Sequence, residues 1–84
     1  MAASNPPDII LMDLSLPGID GVAATRQIKK ALPDVRIIML TGYCGQRGLF
    51  EAISAGANAY CIKSIRVERL LQVIDMVAEG AIWF

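Results

Sequence analysis

Three polar side chains of types that can act on a phosphoryl group follow three separate apolar segments: Asp13, Thr41 and Lys63. A carboxylate can attack phosphorus and become an acyl phosphate. A hydroxyl can donate a hydrogen bond to a phosphoryl oxygen, and an ammonium group can offset the charge of that oxygen. Backbone N–H groups of the turn near Gly18 and Gly21 can add donors. The three side chains therefore predict phosphoryl chemistry with Asp13 as the nucleophile.

Each of these residues has a simpler explanation when it is considered alone. An aspartate at a strand end commonly forms a turn or caps a helix. A threonine before Gly42 is commonly just the end of a strand. A lysine is commonly exposed to solvent without a specific partner. Their shared position favours a common site, because each lies at the C-terminal end of a predicted strand or comes just after it. Ligands of open parallel sheets bind beyond the carboxyl ends of the strands.

Hydropathy patterning predicts the parallel sheet that such a site requires. Short apolar runs, typical of strands covered on both faces, alternate with segments of helical period. The predicted strands cover 8–14, 35–40 and 58–62, and the predicted helices cover 21–32, 49–55 and 64–79. This β-α-β-α-β-α order predicts parallel strands joined by right-handed helical crossovers.

Residues that favour helix ends mark the boundaries of these helices. Asp20 is a suitable N-cap for the first helix, and Pro33 stops that helix. Gly56 is a suitable C-terminal cap for the second helix, and Gly80 ends the third. A loop that runs into the second helix is expected over 41–48.

The composition excludes several classes of function. Hydrophobic residues make up 55% of the chain and charged residues 19%, which is too apolar for a disordered protein. Eight Lys and Arg residues balance eight Asp and Glu residues, so no basic surface predicts binding to nucleic acid or to an anionic membrane. The absence of histidine excludes imidazole metal sites and Ser-His or Cys-His nucleophile pairs. Apolar runs such as 9–12 are too short to span a membrane.

Cysteine usage and the N-terminal sequence indicate a cytoplasmic protein. Cys44 and Cys61 are too few for a disulfide scaffold, and each is expected to be a small buried hydrophobe. No basic region followed by a long apolar stretch marks a signal peptide.

Three sequence motifs follow one another along the chain: PDIILMDLSLPGIDG over 7–21, IIMLTG over 37–42 and AISAGANAYCIKS over 52–64. In their order and spacing they resemble the receiver domain of bacterial two-component response regulators. The last motif and the EGAIWF tail are similar to receivers of the LuxR-type class, which normally carry a helix-turn-helix output domain. The resemblance implies an α/β fold, a flavodoxin-like three-layer sandwich with a parallel sheet. It is incomplete here, with strands 3, 4 and 5 of the family fold.

The resemblance assigns roles to five residues. Asp13 would accept a phosphoryl group from a sensor histidine kinase, and Lys63 would bind the phosphoryl oxygens. Thr41 would reorient its hydroxyl and Tyr60 would change rotamer, so these two would be the switch residues. Asp13 and the carbonyl of Ser15 would coordinate Mg²⁺.

The resemblance also implies that residues 1–84 are a partial receiver domain. A leader would cover 1–7, and 81–84 would begin a linker to an absent output domain that binds DNA. The equally weighted alternative is that 81–84 form a terminal strap, with Trp83 or Phe84 packed on the core. This chain itself is not expected to bind nucleic acid or a membrane.

The sequence departs from the family pattern before Asp13. Complete receivers have two strands and two helices there, and their first strand ends in an acidic pair that holds Mg²⁺, whereas only 12 residues precede Asp13 here. Asp8 lies roughly 16 Å away, at the other end of its strand and with the opposite parity, so it cannot replace the pair. Mg²⁺ usually takes one or two carboxylates among near-octahedral oxygen ligands. We therefore expect weak or absent Mg²⁺ binding and impaired phosphorylation.

The same departure places the first strand at a sheet edge. In the family sheet order 2-1-3-4-5, the missing first strand lies beside the strand that ends in Asp13. The run 9–12 is then an exposed apolar edge, which is a template for pairing with another chain. We expect self-association through this strand or through the last two helices, strand exchange, or marginal folding.

Two other functions compete with this one, and the sequence disfavours the second. One is a receiver-like module that binds proteins without being phosphorylated, through the last two helices and the last strand. The other is an aspartate-nucleophile phosphatase of the haloacid-dehalogenase type, which also places Asp, Thr or Ser, and Lys at strand ends. That enzyme needs a second aspartate two residues after the nucleophile as acid and base, and this position is Ser15 here. The chain is therefore not expected to be an enzyme.

Overall fold

The computed structural model describes residues 9–15, 17–42 and 45–84 of the chain. The elements, in chain order, are β1 (Ile9–Asp13), α1 (Gly21–Ala31), β2 (Arg36–Thr41), α2 (Gln46–Ala55), β3 (Ala59–Ile62) and α3 (Val67–Ala78). The predicted β-α-β-α-β-α order is confirmed. The leader over 1–7, Asp8 and Cys44 lie outside the described residues.

The three strands form one parallel sheet in the order β1-β2-β3. In its register, Asp13 lies beside Leu40, and Thr41 lies beside Ile62. β1 is therefore an edge of this three-stranded sheet. Because the strands are parallel, their carboxyl ends meet on one side of the molecule.

The helices cover both faces of the sheet. α1 and α2 pack on one face, where the core includes Ile37, Met39 and Tyr60. α3 packs on the other face, where its buried residues Val73 and Val77 meet the remaining strand side chains. Alternate strand residues therefore point to opposite helical layers. The three-layer α/β sandwich implied by the resemblance is confirmed.

Helix α1 is bounded by the residues that the sequence indicates. Asp20 is the N-cap, and its Oδ1 accepts hydrogen bonds from the N–H groups of Val22 and Ala23, both at 3.1 Å. Leu32 is the C-cap and lies directly before Pro33, whose ring disfavours helical backbone in the preceding residue.

The starts of the other two helices are defined more closely by the structure. α2 begins at Gln46, inside the segment 41–48 that was expected to run into this helix, because Gly45 is extended at the N-cap and Gly48 is accommodated inside the helix. Its end is as predicted, since Gly56 adopts the left-handed conformation with φ 92° and donates its N–H to helix carbonyls. α3 begins at Val67 rather than at residue 64, because the residue before Val67 is still extended. None of the described helices is long and apolar enough to cross a membrane.

The last four residues, 81–84, return to the sheet after α3, and we refer to them as the C-terminal strap. Gly80 turns the chain with a φ of 102°, a conformation that favours glycine. Trp83 then forms a single parallel bridge with Ala59 at the outer edge of β3. Its ring packs on the core beneath α3, with the guanidinium carbon of Arg69 5.0 Å from the ring centroid. Residues 81–84 thus pack as a strap, which is compatible with their expected role as the start of a linker.

Candidate functional site

Asp13 and Lys63 meet at the carboxyl edge of the sheet. Asp13 is the last residue of β1, and Lys63 directly follows β3. The Nζ of Lys63 lies 3.0 Å from Oδ2 of Asp13, so the two side chains form an ion pair. The Asp13 side chain is 30% exposed and that of Lys63 is 43% exposed. A ligand can therefore reach the carboxylate from solvent.

The backbone of the following turn holds the second carboxylate oxygen of Asp13. The N–H of Ser15 donates a hydrogen bond to Oδ1 of Asp13 at 2.8 Å. This hydrogen bond, and after it the one from Lys63, lowers the pKa of the Asp13 carboxyl, because both favour the charged form. Asp13 is therefore ionised at neutral pH, which is the form that can act as a nucleophile.

Thr41 lies at the end of β2, the strand between Asp13 and Lys63. Its carbonyl accepts a hydrogen bond from the N–H of Lys63 at 2.7 Å. This bond extends the β2–β3 ladder by one residue and sets the direction in which Lys63 leaves the sheet. The structure thus brings Asp13, Thr41 and Lys63 to one edge, with Asp13 and Lys63 in direct contact.

A cleft of about 410 Å³ opens beside this edge, between α1 and α2. Its lining residues are Leu14, Val22, Thr41, Gly45, Arg47, Gly48, Glu51 and Tyr60. Tyr60 is buried in the layer beneath α2. Thr41 and Tyr60, the two expected switch residues, therefore share a cleft that adjoins the Asp13–Lys63 pair.

Gly48 contributes to the site and was not singled out by the sequence. It lies near the start of α2, where a Cβ would overlap the hydroxyl of Tyr60. The absence of a side chain at this position lets the Tyr60 ring occupy the space beneath the helix. A glycine inside a segment of helical period often marks a close approach, and that is the signal that could have found it.

The turn before α1 is engaged in capping the helix. The N–H groups of Val22 and Ala23 donate to Asp20, so these two groups are occupied by the helix cap. The expected donors near Gly18 and Gly21 stay a prediction. Gly21 is buried, and a Cβ on it would overlap the side chain of Leu14. This glycine therefore permits close packing of α1 against the end of β1.

The described residues do not by themselves fit a complete Mg²⁺ site. Within 9–15, 17–42 and 45–84, no group of three or more His, Cys, Asp or Glu side chains could hold a metal ion. Asp13 is the carboxylate at this edge, and its two oxygens already accept hydrogen bonds from Ser15 and Lys63. Mg²⁺ usually needs near-octahedral oxygen ligands that include one or two carboxylates.

The fold and site define a class of protein, a parallel α/β domain with an ionised carboxylate beside an ammonium group at the carboxyl edge. The family model of the response regulator receiver domain matches residues 1–75. The chain belongs to the response regulator receiver domain family, as the resemblance implied. The response regulator protein VraR of Staphylococcus aureus is 36% identical over 74 residues, which are 88% of this chain and 35% of VraR. The chain thus spans about a third of the length of this relative.

Solved structures of response regulators share the fold. A LuxR-family two-component response regulator from an Aurantimonas species has a TM-score of 0.84 and 36% identity, over 92% of this chain and 55% of that chain. A response regulator protein from Burkholderia pseudomallei, solved with a phosphorylated aspartic acid, a calcium ion and citrate, has a TM-score of 0.73 and 29% identity. That similarity covers 90% of this chain and 45% of the other. The chain therefore spans about half of these solved chains.

Proposed function

We propose that this chain is the signal receiver of a two-component response regulator and that Asp13 accepts a phosphoryl group from a sensor histidine kinase. The observation that carries the proposal is the ion pair between Asp13 and Lys63 at the carboxyl edge of the sheet. The phosphoryl group would control an output domain that binds DNA, reached through the linker that begins in 81–84. The similarity to a LuxR-family regulator supports this output.

The transfer uses the carboxylate of Asp13 as the nucleophile. One of its oxygens attacks phosphorus of the kinase phosphohistidine, the P–N bond breaks, and the imidazole nitrogen leaves with the electron pair and takes up a proton. The product is an acyl phosphate on Asp13. Lys63 offsets the charge of the phosphoryl oxygens from its position 3.0 Å from Oδ2. The hydroxyl of Thr41 then turns toward the phosphoryl group, and Tyr60 changes rotamer.

Weak metal binding limits this reaction in the chain as it stands. Asp13 and the carbonyl of Ser15 are the groups that would hold Mg²⁺, which supplies charge neutralisation to the phosphoryl oxygens when it is bound. One carboxylate is a poor basis for a Mg²⁺ site. We therefore expect slow transfer and weak or absent Mg²⁺ binding.

Intact-mass spectrometry after incubation with a phosphoryl donor tests the proposal. With a phosphorylated histidine-kinase domain or acetyl phosphate and Mg²⁺, we expect a slow, sub-stoichiometric gain of one phosphoryl group. Asp13→Asn should abolish the gain, and Lys63→Gln should slow it. Equal labelling of Asp13→Asn would contradict Asp13 as the acceptor. Rapid, stoichiometric labelling of the wild type would instead contradict weak Mg²⁺ binding.

A receiver-like module that binds proteins without being phosphorylated is the second candidate function. The lack of an acidic cluster around Asp13 favours it, since no group of three or more His, Cys, Asp or Glu side chains among the described residues could hold a metal ion. This function would be selected if the wild type gained no phosphoryl group from any donor but still bound the kinase or a second copy.

The remaining proposals concern partners and location. Copies of the chain would associate through β1, where Leu11 is 46% exposed, or through α2 and α3. The domain would act in the cytoplasm, where it meets the kinase, and would carry a signal rather than turn over a substrate as an enzyme. It would not contact nucleic acid directly, because its charges are balanced.

A further inference from the structure

The backbone of the C-terminal strap is bonded to the strand residue that carries the Tyr60 ring. The N–H of Tyr60 donates to the carbonyl of Trp83 at 3.0 Å, and the N–H of Trp83 donates to the carbonyl of Asn58 at 3.0 Å. These two bonds form the parallel bridge at the outer edge of β3. The N–H of Tyr60 thus depends on the strap for its hydrogen bond.

The side chains of the strap reach both faces of the sheet. Trp83 packs on the core beneath α3. Phe84 lies on the other face, where it lines a second cleft of about 260 Å³ together with Leu49 of α2 and with Tyr60. Tyr60 therefore borders two clefts, one that it shares with Thr41 and one that it shares with Phe84.

We propose that docking of the C-terminal strap and the buried position of the Tyr60 ring are coupled, so that displacing either one loosens the other. A ring that leaves the space beneath α2 alters the cleft that Phe84 lines. A strap that leaves β3 removes the acceptor of the Tyr60 N–H. Coupling between two such equilibria is reciprocal, because each state changes the free energy of the other by the same amount.

The regulatory meaning of this coupling rests on the proposed function. If Tyr60 changes rotamer when Asp13 is phosphorylated, the strap is the segment that would transmit this conformational change to the output domain. The coupling itself requires no phosphoryl group. It can therefore be tested in the unphosphorylated chain, and its failure is distinguishable from the failure of phosphorylation.

The first experiment perturbs the strap and measures the rate of hydrogen exchange of the Tyr60 backbone amide. Phe84→Ala removes a ring that is 44% exposed and should leave the core intact. We expect hydrogen exchange of the Tyr60 amide to rise by roughly 2- to 12-fold, which corresponds to the loss of one ordinary hydrogen bond of about 0.5–1.5 kcal/mol. Ile82→Ala is the matched control, since Ile82 is in the same segment and is 68% exposed. Exchange at Ile38 should be unchanged in both variants.

The second experiment displaces the Tyr60 ring and measures how accessible Trp83 in the strap becomes to a fluorescence quencher. Gly48→Ala places a methyl group where the Tyr60 hydroxyl lies and should displace the ring. We expect acrylamide to quench the fluorescence of Trp83, the only tryptophan in the chain, more strongly than in the wild type. Gly42→Ala is the control, because its Cβ would make only ordinary contact with Ser15 Oγ at 3.6 Å.

The two experiments overturn the coupling in different ways. It is wrong if Phe84→Ala leaves exchange of the Tyr60 amide unchanged, or if Gly48→Ala leaves the quenching of Trp83 at the wild-type value. It is also wrong if exchange at Ile38 rises together with that at Tyr60, since the effect is then global unfolding. If both variants show the coupling but Asp13 gains no phosphoryl group, the coupling stands and only its role in signalling is rejected.

Discussion

The ion pair between Lys63 and Asp13 affects the charge state of the Asp13 carboxyl more than it affects the stability of the fold. Both side chains are partly exposed, so water screens their attraction. The hydrogen bond from the N–H of Ser15 is the larger cause of the lowered pKa of Asp13, and the Lys63 ammonium is the second. In the proposed phosphoryl transfer, Lys63 would exchange Oδ2 for a phosphoryl oxygen, while the Ser15 N–H would keep the carboxylate oriented.

Lys63→Gln should raise the pKa of the Asp13 carboxyl part of the way toward the ordinary aspartate value of about 3.9. The rise is only partial because the Ser15 N–H still donates to Oδ1. A titration of the carboxyl carbon by NMR measures it. Lys30→Gln, an exposed change in the last turn of α1, is the control and should have no effect. An equal shift in both variants would show that net charge, and not the ion pair, lowers the pKa.

The lowered pKa of Asp13 also gives stability a defined pH dependence. A carboxyl with a lowered pKa in the folded state stabilises the fold above its unfolded pKa, and this contribution is lost as the pH falls through the folded pKa. We therefore expect the difference in unfolding free energy between wild type and Asp13→Asn to be constant near neutral pH. It should shrink below about pH 4. Urea denaturation at a series of pH values checks this, and a difference that grows on acidification would contradict it.

At the scale of the elements, Asn58 joins three of them before β3 begins. Its Oδ1 accepts hydrogen bonds from the N–H of Ile37 at 3.0 Å and from Nζ of Lys29 at 3.1 Å. Lys29 also donates to the carbonyl of Val35 at 2.9 Å. One amide thus fixes the start of β3 against β2 and against α1, and it sets the position from which β3 delivers Lys63.

Asn58→Ala should lower the free energy of unfolding by about 1–3 kcal/mol, because it leaves the N–H of the fully buried Ile37 without this acceptor. Chemical denaturation measures the change. Lys29→Met is the matched control: it removes the lysine bonds and leaves the bond between Asn58 and Ile37. Lys29→Met should lower the free energy of unfolding by less than Asn58→Ala does. A larger loss of unfolding free energy in Lys29→Met than in Asn58→Ala would mean that the bonds of the lysine, and not the bond to the buried N–H of Ile37, hold these elements together.

The meeting of Asp13, Thr41 and Lys63 was predictable from the sequence, because parallel strands bring their last residues to one edge. The contact of Gly48 with Tyr60 was not, since it depends on how α2 packs over β3. The exact start of α2 was not predictable for a related reason: glycine disfavours helices locally, and packing outweighs that preference at Gly48. The bridge of Trp83 is a long-range contact that no local pattern encodes.

At the scale of the whole molecule, the two edges of the sheet differ. The outer edge of β3 is covered by the C-terminal strap through Trp83. In the described part of the chain, β1 pairs with β2 alone, and Leu11 in its centre is 46% exposed. An apolar strand with one unpaired edge is a template for pairing with another chain. We therefore place the strongest tendency to associate at β1.

Leu11→Lys should weaken self-association, because a charge on an edge strand opposes pairing with a second strand while a half-exposed position tolerates the lysine. Sedimentation velocity across a range of concentrations measures it, and the mutant should remain monomeric at concentrations where the wild type associates. Leu32→Lys is the control, since Leu32 is 55% exposed at the end of α1, away from the strand edge. An equal effect of both changes would indicate a general gain in solubility. If Leu11→Lys associates as strongly as the wild type, the interface does not involve β1, and α2 and α3 are the surfaces to test next.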